Sequence, residues 1–155
     1  KYYQTNPTTQ VYLHLVGDFF GTREKEGILT PIKTYGLEKY VICYGNQSGD
    51  ALNNIFNQCD FAIGSLARHR SGITHIKTLK NREYAARGFG FIYSETDDDF
   101  EQMPYILKVP ADESPIDIPQ LISFHQQLSL SPETIRSSIQ HLSWKEQMKQ
   151  VISSL

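Results

Sequence analysis

FAIGSLARHRSGITHIKTLKNREYAARGFGFIYS, running from Phe61 to Ser94, decides how the rest of the chain is read. Phe61 to Ser65 is short and apolar and ends in small residues, the pattern of a central strand in a parallel sheet. A basic loop follows. Thr78 then stands where a helix cap belongs, with Leu79, Lys80 and Asn81 as the first turn and Gly88 as the stop. The segment FIYS closes the stretch as a second buried strand. Arg68, Arg70, Lys77 and Lys80, with His69 and His75, precede or enter the helix start. Free backbone N–H groups, the positive end of the helix dipole and these side chains would converge on one spot, a site for a phosphate or diphosphate.

Glu83 lies one turn further along the same helix. Lys80 and Glu83 are three residues apart and project from one side of it. A carboxylate at that depth can accept two hydrogen bonds from a vicinal diol such as a ribose. The plainer alternative is an ion pair between Lys80 and Glu83 on a solvated face, contributing about 0.2–0.5 kcal/mol.

Working outward, apolar runs and helical stretches alternate. Val11–Val16 reads as a strand closing on Gly17, and Phe19-Phe20 after it as core aromatics. A polar helix runs from Thr22 to Tyr35 and stops at Gly36. Glu38–Tyr44 is a strand ended by Gly45. A turn at 46–50 ends in Asp50 as candidate cap for a helix over Ala51–Gln58. After Ser94, Thr96–Glu101 is an acidic run that reads as a solvated surface loop, and Tyr105–Val109 as a further strand. A proline-broken connection leads to helices at Ile118–Gln127, Pro132–His141 and Ser143–Ser153, with Ser131-Pro132 as a cap-plus-N1 start. This alternation predicts an α/β fold, a Rossmann-like doubly wound parallel sheet with helices on both faces. The Val11, Val41 and Phe61 strands should lie side by side. Ligands sit off the carboxyl ends of such strands, here Gly17, Gly45, Gly64 and Ser94.

At 155 residues and 39% hydrophobic content, the sequence fits a single domain over 1–155, with a helical tail over 131–155. A net charge of −2 argues against a nucleic-acid surface, so the basic cluster is a local feature. Two cysteines, Cys43 and Cys59, without metal-like spacing read as buried thiols of a reducing, cytoplasmic compartment. No apolar run is long enough to span a membrane. The five histidines are scattered, which gives no metal site; His14 reads as a satisfied strand residue, and Trp144 as packing the last helix onto the domain. Ser65, His69 and Asp60 do not make a hydrolase, because no nucleophile elbow surrounds the serine.

SLARHR, LKNREYAARG and FIYS together resemble the core of the C-terminal domain of group 1 (family 4) glycosyltransferases of the GT-B fold. A helix of those enzymes with the pattern lysine–x–x–glutamate–tyrosine–x–alanine–x–glycine is matched here by Lys80, Glu83, Tyr84, Ala86 and Gly88. VYLHLVGD and VICYGNQSGDALNNIFNQCDFAIG stand in the expected order before it. An earlier glutamate found in many members falls on His75, and Gly90 stands where they carry proline.

The resemblance implies the nucleotide-sugar-binding half of a retaining, metal-independent hexosyltransferase. It implies no cofactor, and a glycan or lipid-linked acceptor held by an N-terminal domain. Membrane contact, at the inner face, would come only through that domain. The sequence then reads as a fragment inactive by itself. Lys80 and Arg70 would hold the phosphates, Glu83 the ribose, and backbone near Tyr44 and Gly45 the base; Ser65, Arg68, His69, Thr78 and Leu79 complete the implied donor site. The rival reading is a non-enzymatic α/β nucleotide- or phosphate-binding or signalling module. Asp18 is the one acid at a strand end suited to a receiver, and GDFFG is no flavin-phosphate loop.

Overall fold

In the computed structural model, which describes residues 1–153, the apolar runs become parallel strands, separated by helices except between the last two, which a loop joins. The chain divides into two units, Lys1–Cys59 and Asp60–Leu155. In the first, β1 (Leu13–Leu15) leads through α1 (Thr22–Thr34) to β2 (Val41–Cys43), and α2 (Gly49–Phe56) follows. β1 and β2 pair in parallel, with Leu13 opposite Val41 and Leu15 opposite Cys43. His14 is satisfied by the Tyr44 hydroxyl at 2.9 Å. α2 begins two residues before the position read from sequence. Its N-cap is Ser48, so Asp50 lies within the first turn, where its charge faces the positive end of the dipole.

Two expectations fail in this unit. Phe20 is fully exposed instead of core. Glu24, in the first turn of α1, accepts a hydrogen bond from the Phe20 N–H at 2.7 Å and holds the loop with that ring in solvent. Cys43 is exposed and Cys59 half-buried, both as free thiols. Cys43 closes a short strand whose burial fades at that end.

The second unit is built on the order β3-β4-β5, from β3 (Ala62–Ile63), β4 (Phe91–Tyr93) and β5 (Ile106–Lys108), all parallel. β1 and β2 therefore lie side by side as expected, but the Phe61 strand joins a separate ladder with β4 and β5. α3 (Leu79–Arg87) is the crossover between β3 and β4. The middle strand β4 is buried throughout, and Phe91 and Tyr93 pack with Ala85, Phe100, Tyr105, Ile135 and Ile139. β4 is thus the apolar axis of this unit.

After β5 come α4 (Ile118–Gln127), α5 (Pro132–Ser138), a 3-10 turn at Gln140–Leu142 and α6 (Trp144–Ser153). Asp117 and Ser131 cap α4 and α5 by accepting from Gln120 N–H and Thr134 N–H. Gly88 ends α3 with φ +85, and a Cβ there would lie 2.6 Å from Pro132 Cβ, so the glycine serves both the left-handed turn and the approach of α5. Trp144 does not pack its helix down: it is 84% exposed, as Met148 and Ile152 on the same helix are largely exposed. Residues 154 and 155 of the expected helical tail lie outside the described residues. Among those described, no helix is long and apolar enough to cross a membrane.

Candidate functional site at the start of α3

β3 runs out at Gly64, whose N–H still donates to Ile92 O at 2.8 Å. A Cβ on Gly64 would come within 2.5 Å of Asn81 Oδ1 and 2.9 Å of Ile92 O, so only glycine lets α3 sit this close to the strand. Ser65 is buried beyond it, and its carbonyl accepts from Ser94 N–H at 3.1 Å. These bonds place the carboxyl ends of β3 and β4 beside the loop that precedes α3.

That loop has two anchors. Its 3-10 turn, Arg68–Ser71, is held by the His69 N–H, which donates to the buried Glu95 carboxylate at 2.9 Å. Further on, Ile76 N–H donates to Thr96 O and Thr96 N–H to Thr74 O, at 2.8 and 2.9 Å, with the Ile76 side chain buried. Burial works against ionisation of Glu95. Hydrogen bonds from the Ser94 hydroxyl and from the N–H groups of residues 95, 69 and 68 outweigh it, and hold the carboxyl below its ordinary value.

Thr78 has extended backbone and is the N-cap of α3, as read from the sequence. Its hydroxyl makes no hydrogen bond, however, and is one of four buried side-chain polar atoms among the described residues without a hydrogen-bond partner, with Ser65 Oγ, His69 Nδ1 and Asn81 Oδ1. All four belong to the end of β3, the loop, or the first turn of α3. Orphaned buried atoms are rare, and their gathering at one place asks for an explanation.

The helix is positioned from its inner side. Asp97 is fully buried and accepts from Asn81 Nδ2 at 3.0 Å and from Arg82 Nη1 and Nη2 at 3.0 and 3.1 Å. Arg82 also bonds Asp99 and reaches Thr78 O at 3.0 Å, which ties it to the helix start. The acidic run 96–101 is therefore not the solvated loop its composition suggests. Asp97 and Glu101 are structural: Glu101 accepts from Tyr93 Oη at 2.8 Å, from Lys108 Nζ at 2.8 Å and from Asp97 N–H at 3.0 Å. Cationic and phenolic partners on α3, β4 and β5 draw these acids inward.

On the outer side the cations divide into two sets. Arg70 is taken up by Glu113, and Arg82 by Asp97 and Asp99. Arg68, Lys77 and Lys80 have no acid partner among the described residues. Partial burial of the Lys80 amine, and then the Arg68 guanidinium, push its pKa below the ordinary lysine value. Arg68 in the turn before α3 and Lys80 in its first turn thus both stay unneutralised. The Lys80–Glu83 pair does not form: Glu83 bonds Arg87 instead, with Arg87 Nη2 3.0 Å from Glu83 Oε1. Leu79 stands 84% exposed beside Lys80.

Of the implied donor residues, the second unit brings together Ser65, Arg68, His69, Arg70, Thr78, Leu79, Lys80 and Glu83 on the end of β3, the following loop and the first two turns of α3. Tyr44 and Gly45 belong to the first unit. There Gly45 has φ +66, its carbonyl accepts from Gly17 N–H at 2.9 Å, and Tyr44 O accepts from Gln47 Nε2 at 2.9 Å. Reasoning from sequence missed Glu95, Asp97 and Glu113. The signal for Asp97 was on α3: Asn81 and Arg82 precede the buried Ala85 by four and three residues, a spacing that places polar groups toward the core. Among the described residues no three His, Cys, Asp or Glu side chains converge as a metal site. No protein-family profile matches the chain, and no curated protein does either.

Proposed function

We propose that this chain is the donor-binding part of a retaining glycosyltransferase of the GT-B type, its parallel strands and helices belonging to a Rossmann-like domain. It would bind a nucleotide diphosphate sugar for transfer of the hexose to a glycan or lipid-linked acceptor. The observation that carries the reading is that Arg68, on the turn before α3, and Lys80, in its first turn, both lack an acid partner among the described residues, with the Arg68 charge acting against the Lys80 ammonium. Folding leaves this repulsion in place, and an anion would relieve it.

The chemistry follows from charge. As the anomeric bond of the donor breaks, negative charge develops on the leaving diphosphate. Lys80, Arg68 and the N–H groups of the first turn of α3 supply positive charge there before the reaction starts, so little reorganisation is needed. Glu83, on the solvent side of α3, would exchange Arg87 for the diol of the ribose.

The test is titration of the chain with UDP, GDP and uridine. Lys80→Met should weaken diphosphate binding by about ten- to a hundredfold, the loss of one charge-assisted hydrogen bond, and leave the nucleoside untouched. Because that lysine is exposed and has no acid partner among the described residues, its removal should not lower stability. Glu83→Gln should weaken a ribonucleoside diphosphate by about tenfold and spare its 2′,3′-dideoxy analogue. Equal losses for diphosphate and nucleoside would make Lys80 structural and remove the proposal's support.

A further inference from the structure

Glu113 is the residue that the proposed function leaves unexplained. It lies in the connection between β5 and α4, and its carboxylate meets basic side chains of the loop before α3. Arg70 grips it with two bonds, Nε to Oε1 at 2.7 Å and Nη2 to Oε2, and His69 Nε2 stands 3.1 Å from Oε1. A guanidinium fork plus an imidazole holds a phosphate by the same geometry. The side chains of Arg70 and Glu113 are each 64% exposed, so water competes for both and the pair contributes little to stability. Even so, the Arg70 and His69 bonds draw the Glu113 carboxyl down to about 2. The turn that carries Arg70 also carries Arg68, whose charge reaches Lys80. Of the basic groups around the helix start, the one best shaped for phosphate is the one filled by the chain's own carboxylate.

We propose that Arg70 and His69 form an anion subsite next to Arg68 and Lys80, that the Glu113 carboxylate occupies it as an internal substitute for phosphate, and that a diphosphate binds by exchanging with Glu113. This rests on the reading of the helix start as a diphosphate site and adds a regulation to it. The connection between β5 and α4 then acts as a strap, closed by Glu113 and released by the ligand. The His69 N–H is held separately by the Glu95 carboxylate, so the turn keeps one anchor when the strap opens. A ligand pays for the exchange through the fraction of molecules in which the strap is open, so its apparent affinity is reduced by that fraction.

Inorganic diphosphate, titrated calorimetrically into the full chain at low salt, tests this. Glu113→Gln keeps the shape and removes the competing charge; binding should tighten by about two- to fivefold, the strength of an exposed ion pair. Adding Arg70→Gln to that variant should abolish the gain. UDP should show the same gain and uridine none, which places the effect on the phosphates. If Glu113→Gln leaves diphosphate binding unchanged or weaker while Lys80→Met still impairs it, the strap is wrong and the diphosphate site stands. A gain that survives loss of Arg70 also overturns the exchange, since it would come from net charge alone. If neither wild type nor Glu113→Gln binds diphosphate, both readings fall.

Discussion

Asp97→Asn is the substitution whose effect the structure fixes most closely. The carboxylate is wholly buried and takes three side-chain hydrogen bonds, one from Asn81 and two from Arg82. Asparagine keeps the volume but removes the charge and points an N–H₂ group at donors. Leaving a buried charge without its partner costs about 3–5 kcal/mol. Here the loss is tempered, because the Arg82 side chain is 21% exposed and keeps Asp99 and Thr78 O. A destabilisation of about 2–4 kcal/mol follows, a large part of the 5–15 kcal/mol that holds a typical domain together. Urea unfolding followed by far-ultraviolet circular dichroism reads it; Trp144 fluorescence is a poor reporter, since that ring is 84% exposed when folded. Asp99→Asn is the internal comparison, since its side chain is 20% exposed and meets Arg82 through one nitrogen where Asp97 meets it through two; it should cost under about 1 kcal/mol. Equal midpoints for wild type and Asp97→Asn, or equal losses for the two variants, would refute the assignment of Asp97 as the anchor of α3.

Two further outcomes follow from the same geometry. Gly88→Ala forces a Cβ into the left-handed region and against Pro132, and should destabilise by at least about 1–2 kcal/mol in the same urea assay; an alanine variant as stable as wild type would mean that α5 yields freely. Stability should fall at both ends of the pH scale. Glu95 and Glu101 are held below their ordinary value of 4.5, so their contribution is present above it and lost as pH falls below it. Tyr93 and Tyr105 are raised above 10.0, mainly by burial, so theirs is present below that pH and lost as it rises further. Melting temperatures measured against pH should show both limbs, and Tyr93→Phe should flatten the alkaline one.

Much of the α/β alternation was legible because each element carries its own local signal. Gly88 and Ser131 sit at the helix ends they announce, and β4 is as apolar in sequence as it is buried in place. What escaped depends on partners distant along the chain. The run from Thr96 to Glu101 has the composition of a solvated loop, and nothing within it says that Arg82 and Lys108 will draw Asp97 and Glu101 inward. The plainer alternative for Glu83, a pair with Lys80, fails locally, since Arg87 four residues on takes the same carboxylate. Arg70 looked free because Glu113 is forty-three residues away. Phe20 and Trp144 were assigned to the interior on hydrophobicity, which does not decide whether a neighbouring surface exists to receive them.

The two anchors of the loop before α3 have a consequence for the order in which this region opens. The stretch Thr74–Ile76 is tied to Thr96 by backbone bonds, and α3 behind it by Asp97, so neither can leave without disturbing the buried strand β4. The turn Arg68–Ser71 is tied across by side chains alone, through Glu95 and Glu113. Amide protons should divide accordingly in hydrogen exchange. Those of Gly64, Ile76 and Ser94 should exchange only with unfolding of the whole second unit. The His69 amide, bonded to a carboxylate instead of a ladder, should exchange through a smaller opening that leaves the helix start in place.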